Sequence, residues 1–488
     1  MTVPATEVRP SSPRPASASR ESGGDLTATL SRLRDAHRRK GPPDEAQRLR
    51  WLAKLEKALL SNKDRIADVI SADYGSRSRH ESLVAEVFIT ASLIKYNREN
   101  LRHWMEPERR HVAMTFFPAR AEVHQQPLGV VGIIAPWNYP VQLALAPLVC
   151  ALAAGNRAMI KPSELTPKTG ELLAEILGQA FEPDEVAVVT GGTDVGEAFS
   201  KLPIDHLVFT GSTRVGKIVM RAAAENLVPV TLELGGKSPV VVAPDFPTAT
   251  AAERIISGKL FNSGQTCIAP DYVFLPAGTE DEFVAHAKQA VAAMYPKLVD
   301  NPDYTAVINA HHHKRLTGYV KDAEAKGAKI VRLNPASESF EGSNKFEPTI
   351  ILGATDEMTV MQDQIFGPIL PVHTYKDVSE ALDYVNDHPR PLALYCFSHD
   401  DRQVTRVLTE TTSGGVSINE TMLHVAQDDL PFGGVGPSGM GAYHGREGFE
   451  AFSKKKPIFF QSRVNGTSLL RPPYGKAIDT LLGLLLGK

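Results

Sequence analysis

Apolar residues along the chain fall into two textures. Near the start they recur at helical spacing: Leu26, Leu30 and Leu33 mark a face that stops at Gly41-Pro42-Pro43, and Leu52, Leu55 and Leu59 mark a second that begins near Asp44. From Val130 onward the pattern changes to short apolar runs followed by helical stretches: VVGII, RAMIK, VAVVT, DHLVFT and PVTLEL. Strands recurring every twenty to thirty residues or so, with helices between them, predict an α/β fold built on a mostly parallel, doubly wound sheet. In such sheets ligands gather beyond the carboxyl ends of the strands.

Four segments depart from these two textures. No charged residue occurs from Gln125 to Asn156, a length that would span a bilayer. Pro136, Asn138, Pro140 and Pro147 divide it into a strand (Val130 to Ile134), a loop (Ala135 to Pro140) and a small-residue helix, so it reads as a buried βα unit and no integral membrane segment is expected. The apolar run Leu481 to Leu486 is too short to span and reads as a docking helix, with a weak interfacial helix as the alternative. Residues 1–24 are rich in Ser, Pro and Ala, lack an apolar run, and read as a disordered tail. Val112 to Phe117 and Ala121 to Gln125, around Pro118-Ala119-Arg120, predict a hairpin.

The 488 residues carry 53 Lys+Arg against 56 Asp+Glu, a balance that gives no basic field and excludes nucleic acid as a general partner. At roughly 100 to 200 residues per domain the length implies two or three domains. Three cysteines cannot supply a disulfide framework, which suits a reducing, cytoplasmic setting. Cys150 in LVCALAAG and Cys396 in LALYCF read as small core residues, whereas Cys267 lies in the Gly/Ser/Gln loop NSGQTC, where a thiol stays reachable. Glu233, the only acid in PVTLELGG, is either a strand-end partner in a salt bridge or a buried carboxylate raised into the range of a general base.

The loops after the strands carry further candidates. FTGSTRVG opens a helix, so Gly211 and Gly216 bracket either a phosphate-binding turn or a plain one. KPSE, Lys161 to Glu164, either meets a ribose or forms an ordinary strand-to-helix turn. His311, His312 and His313 follow one another on a helix, point about 100° apart, and read as a solvated face with no metal. Lys454 to Lys456 reads as exposed surface.

Taken together, PWNYP (Pro136 to Pro140), KPSE, FTGST, LELGGK, GQTC, IFGP (Ile365 to Pro368) and PFGGVGPSGMGAYHG (Pro431 to Gly445) follow the order and approximate spacing of the NAD(P)-dependent aldehyde dehydrogenases. The sequence resembles their class 3 branch, and its ending resembles the bacterial coniferyl aldehyde dehydrogenases. The resemblance implies an NAD(P)-binding Rossmann-type domain (25–111 and 126–235), an α/β catalytic domain (236–445), a small bridging element for oligomerisation (112–125 and 456–488), and a homodimer.

It also implies a mechanism. Cys267 attacks an aldehyde to give a thiohemiacetal, the Asn138 side chain and the Cys267 N–H hold its oxyanion, and hydride leaves to a nicotinamide. Glu233 then activates water to hydrolyse the thioester to an acid. The implied cofactor residues are Lys161 and Glu164 at the adenosine ribose and Gly211, Ser212 and Gly216 near the pyrophosphate, with Trp137, Leu234, Gln364 and Phe366 elsewhere in the cleft. Glu164 favours NAD, with NADP a second possibility.

Gln364, in MQDQIFGP, stands where the family has an acid that holds the nicotinamide ribose. It keeps an acceptor and loses the charge, so looser nicotinamide positioning is expected. An aromatic aldehyde such as coniferaldehyde is the expected substrate, with Tyr96, Trp104 and Met422 to Val425 as candidate contacts. Medium-chain aliphatic aldehydes, a coenzyme-A-acylating reaction and a catalytically silent binding protein are the alternatives.

Overall fold

A computed structural model describes residues 25–487; the tail expected over 1–24 lies outside them. The first half of the chain supplies strands β1 (Glu108–Arg110), β2 (Arg120–Pro127), β3 (Val130–Ile134), β4 (Arg157–Lys161), β5 (Val186–Val188), β6 (His206–Thr210) and β7 (Val230–Glu233). The second half supplies β8 (Ser238–Val242), β9 (Pro270–Pro276), β10 (Lys329–Arg332), β11 (Thr349–Leu352), β12 (Ile369–Tyr375), β13 (Ala393–Phe397), β14 (Gly415–Ile418), β15 (Gly439–Met440) and β16 (Ser453–Phe460).

The first sheet has the order β15-β7-β6-β3-β4-β5 and is parallel except for β15. Connections from β3 run outward to β4 and β5, then return to β6 on the other side, so the order reverses beside β3. That reversal opens a crevice at the carboxyl ends of β3 and β6. Strands β3, β4 and β6 are buried along their whole length, which explains their unbroken apolar composition.

Helices cover the sheet. Leu26–Lys40 is capped by the Asp25 carboxylate, which accepts from the amides of Thr27 and Ala28, and Glu45–Ser61 is capped likewise by Asp44. Leu30 and Leu33 of the first, and Leu52, Leu55 and Leu59 of the second, are buried. The uncharged run becomes β3, a loop and the helix Gln142–Ala153, all twelve residues of which are buried. No helix among the described residues is long and apolar enough to cross a membrane.

The second sheet, β10-β11-β12-β9-β8-β13-β14, is parallel except at the β10–β11 pair. It collects the strands from residue 238 to 418, whereas β15, within the stretch expected to be wholly catalytic, returns to pair with Glu233 and Leu232 of the first sheet.

The third sheet, β1-β2-β16, departs from the expected hairpin. Its first strand is Glu108–Arg110, with Arg110 opposite Ala121, and residues 112–117 lie in the connection, where Met114–Phe116 form a short 3-10 turn. Pro118 has no N–H to donate to a ladder, so pairing stops before it. The returning strand is Ser453–Phe460, which pairs with the whole of β2 and carries the exposed Lys454, Lys455 and Lys456. The C-terminal helix Lys476–Leu485 does not dock against the described residues of this chain: only Ile478 is buried, and Leu482, Leu484, Leu485 and Leu486 are exposed among them.

Candidate active site

Cys267 lies in the turn between the short helical segment Phe261–Gly264 and β9, and Glu233 ends β7. The backbone entering the cysteine loop is unusual: Asn262, Ser263 and Gly264 all have positive φ, of 50°, 53° and 73°. At Gly264 only glycine fits, because an added Cβ would lie 2.4 Å from the carbonyl oxygen of Gly367 in IFGP. Side chains hold the turn: Gln265 Nε2 donates to the carbonyls of Asn262 and Ala306, at 3.0 Å each, and its Oε1 accepts from the Ile308 amide. Backbone strain of this kind persists only where its surroundings over-determine it.

Cys267 is half-buried, and Cys150 and Cys396 are buried. Burial first, and the Glu233 carboxylate second, push the Cys267 thiol up to about 12. Glu233 is 2 % exposed and neither of its carboxylate oxygens has a hydrogen-bond partner. Among the described residues no cation forms a salt bridge with it, and desolvation alone raises its carboxyl well above the ordinary value. Of the two readings of Glu233, the unpaired buried carboxylate is therefore the one present. Asn138 is 3 % exposed, and its Nδ2 donates to the carbonyl of Gln265 at 3.2 Å, two residues before Cys267.

Cys267 also lines a cavity of about 470 Å³. Its outer rim includes the exposed Val84, Phe88 and Leu423, and its inner part includes Thr266, Tyr443 and His444. Most of the lining is apolar, in a volume that suits a small organic ligand. Met422, Leu423 and Val425 belong to it, as the sequence suggested, but Tyr96 and Trp104 do not. Those two rings pack on each other, and Trp104 also packs on Phe449, so they serve the interior of the helix Ile89–Met105. Tyr443 and His444 have no assigned role in the sequence reading, although AYHG lies within a quoted motif. Tyr443 Oη is buried without a partner; burial first, and then Glu233 and Cys267, raise its pKa, which sets the three in one electrostatic neighbourhood.

The remaining candidates line the crevice of the first sheet. Lys161 ends β4 and is 3 % exposed; its Nζ donates to Glu164 Oε2 at 2.6 Å. Against partial burial, which works the other way, the Lys161 ammonium holds the Glu164 carboxyl below its usual range. Gly211 follows β6, and Ser212 caps the helix Thr213–Ala224 through the Val215 amide. A Cβ at Gly216 would lie 2.5 Å from Leu234 Cδ2, so helix and strand end pack too closely for a side chain there. A bare turn position at Gly211, a helix amino end with a close-packed glycine in its first turns, and a carboxylate presented by a lysine fit the phosphates and ribose of a dinucleotide.

Trp137 packs against Phe366, with centroids 5.3 Å apart, and against His312 at 5.1 Å. His312 is thus not part of a solvated face. Burial first, and Arg315 second, lower its pKa to about 4. Only His311 of the three is exposed, and no group of His, Cys, Asp and Glu among the described residues could hold a metal. Gln364 joins the cysteine loop to the segment that follows β7: its Nε2 donates to the Cys267 carbonyl at 3.2 Å, and an added Cβ at Gly235 would lie 2.0 Å from its Oε1.

The pattern of the Aldehyde dehydrogenase family matches residues 18–458. The chain belongs to this family. The dehydrogenase is 53% identical over 458 residues to a "Probable coniferyl aldehyde dehydrogenase" of Pseudomonas aeruginosa, covering 94% of this chain and 95% of the relative. It is 51% identical over 465 residues to the "Coniferyl aldehyde dehydrogenase" of Pseudomonas sp. strain HR199, covering 94% and 96%. Among solved structures, the substrate-bound state of AldH from Staphylococcus aureus superposes with a TM-score of 0.89 at 37% identity, covering 94% of this chain and 99% of that one. The dehydrogenase therefore has the α/β aldehyde dehydrogenase fold and oxidises aldehydes with a nicotinamide dinucleotide.

Proposed function

We propose that this dehydrogenase oxidises aromatic aldehydes of the phenylpropanoid type, such as coniferaldehyde, to carboxylic acids. The observation that carries the reading is the apolar cavity of about 470 Å³ leading to a half-buried thiol. The names of the relatives support it.

Cys267 Sγ attacks the aldehyde carbon once its proton has left, giving a thiohemiacetal. The Asn138 amide and the Cys267 N–H donate to the oxyanion without supplying a proton that would quench it. A nicotinamide dinucleotide, when bound, supplies the hydride acceptor. The thioester left on Cys267 is hydrolysed by water that gives its proton to Glu233, whose carboxyl burial raises well above its ordinary value and so makes a stronger base once ionised. Lys161 and Glu164 would hold the adenosine ribose, Gly211, Ser212 and Gly216 the pyrophosphate, and Trp137, Leu234, Gln364 and Phe366 the nicotinamide side.

NAD is the preferred cofactor on this reading. The Glu164 carboxylate accepts from ribose hydroxyls and repels a 2′-phosphate, while Lys161 is already paired with it. A homodimer fits the exposed edge of the third sheet, whose apolar Phe459 stands among lysines on β16. The bridging role of that sheet, the division into cofactor and catalytic domains and a cytoplasmic location belong to the same proposal.

The test is a panel of aromatic and aliphatic aldehydes with each cofactor, followed by nicotinamide absorbance, with Cys267→Ala as control. Highest kcat/KM on the aromatic members with NAD is expected. A preference for aliphatic aldehydes would overturn the substrate, a preference for NADP would overturn the cofactor ranking, and an absolute need for coenzyme A would overturn hydrolysis. Monomer alone in light scattering would refute the dimer.

A further inference from the structure

The carbonyl oxygen of Asn138 accepts three hydrogen bonds: from Arg77 Nη1 at 2.8 Å, Tyr74 Oη at 3.1 Å and Asn262 Nδ2 at 3.1 Å. A carbonyl has two lone pairs, so three donors exceed what a loop needs to stay in place. Tyr74 Oη also reaches the Trp137 carbonyl, at 3.2 Å. The same loop is held at its far end. Glu86 Oε2 accepts from the amides of Val141 and Gln142, at 2.9 and 2.8 Å, at the start of the helix that follows.

The two anchors are joined. Arg77 Nη1 lies 3.1 Å from Glu86 Oε1, and both side chains have no exposure at all. The guanidinium sits between the rings of Tyr74 and Tyr139, at 5.1 and 4.9 Å. Glu86 belongs to a π-helical turn, Leu83–Phe88, a form of helix that recurs at functional sites. An ion pair removed from water is poor value as a stabiliser, since apolar residues of similar volume commonly do as well. What apolar residues cannot do is donate to one backbone oxygen and accept from two backbone amides of the same loop. A neighbouring carboxylate continues the lattice: Glu81 Oε2 accepts from the Asn262 amide and from Thr305 Oγ1.

We propose that Arg77 and Glu86 are positioning residues of the oxyanion site, a buried pair that fixes the backbone from Trp137 to Gln142 so that the Asn138 amide meets the substrate oxygen held on Cys267. This rests on the reading of Asn138 as an oxyanion donor given above. The Asn138 amide already faces the cysteine loop, through its bond to the Gln265 carbonyl. The pair acts only through that amide, and makes no contact with substrate itself.

The experiment is a double-mutant cycle on the full-length enzyme. Arg77→Met and Glu86→Gln are each made alone and in an Asn138→Ala background, with Arg77→Lys as the milder variant should the others fold poorly. Single-turnover cofactor reduction, KM, and the isotope effect of aldehyde deuterated at the carbonyl carbon are measured. Misplacing a donor commonly costs ~10- to 100-fold, so that loss in the reduction step is expected, with KM within about threefold and a larger isotope effect. A smaller folded fraction would leave the isotope effect unmoved. In the Asn138→Ala background the same substitutions are expected to change the rate less than about twofold. Equal losses in both backgrounds, with an unchanged isotope effect, would show a merely structural pair and overturn the proposal. Undiminished reduction by Asn138→Ala alone would instead overturn the oxyanion reading on which it stands.

Discussion

Replacing Glu233 by glutamine is expected to trade turnover for stability, with a sign and slope set by the site. Both carboxylate oxygens are buried and unpaired, and desolvation holds the carboxyl well above its ordinary value. Above the unfolded value of about 4.3, the folded chain still holds a proton that the unfolded chain has released. Stability from this group is complete at acid pH and is lost as pH rises toward the folded value, at about 1.4 kcal/mol per pH unit. Glutamine never ionises, so the advantage of Glu233→Gln should grow with pH at that slope and then level off, the break marking the folded pKa. An unsatisfied amide adds a constant offset at every pH, which makes the slope the diagnostic quantity. Urea midpoints of both proteins from about pH 5 to about pH 8 measure it. In parallel, loss of a general base should cut steady-state acid formation by ~10²- to 10⁴-fold while the first burst of cofactor reduction survives. A stability difference independent of pH would mean that Glu233 is ionised in the folded enzyme. Loss of the burst would place it in the first half-reaction.

Three further outcomes are expected. With its thiol pushed up to about 12, Cys267 of the cofactor-free enzyme should react with iodoacetamide at a rate still rising beyond pH 9, and faster in Glu233→Gln only above the pH at which Glu233 ionises; a plateau near neutrality would contradict this. Gln364→Glu should speed single-turnover cofactor reduction by restoring a charge for the nicotinamide ribose, while losing the donation to the Cys267 carbonyl, worth about 1 kcal/mol in thermal stability; an unchanged reduction rate would refute the first effect. Gly264→Ala places a Cβ 2.4 Å from the Gly367 carbonyl at a φ of +73°, so a lowered melting temperature and loss of activity are expected, and wild-type values for both would show that the IFGP loop yields.

The sequence disclosed what depends on local period and chain order. VVGII, RAMIK, DHLVFT and PVTLEL lie where β3, β4, β6 and β7 form, because strands buried on both faces must be apolar throughout. Cys267 and Glu233 stood out because each breaks its surroundings, a thiol in a polar loop and an acid in an apolar strand. Residues whose roles come from direction in space stayed hidden. Arg77, Glu81 and Glu86 look like the charges of a solvated helix, and the π-turn removes even the regular spacing that would set them on one face. Tyr96 and Trp104 carried the right chemistry for an aromatic substrate, but which side of their helix meets the cavity is decided by packing against Phe449, over three hundred residues away. His312 joined Trp137 for the same reason, since the contact exists only once two distant segments meet.

The antiparallel return of β15 sets a clock for the ribosome. Glu233 is paired with Gly439, and the Leu234 amide with the Ser438 carbonyl, so the edge that carries Glu233 lacks its neighbour until that distant segment has been made. At ~5 to 20 residues per second, some two hundred residues of synthesis take ~10 to 40 s. During that interval the nascent first sheet carries an open, apolar strand edge with an unpaired acid at its end. Chaperone capture and arrested-chain labelling should therefore concentrate on β7 until residue 440 clears the exit tunnel, and any chain that stops short of it would bind no partner strand there.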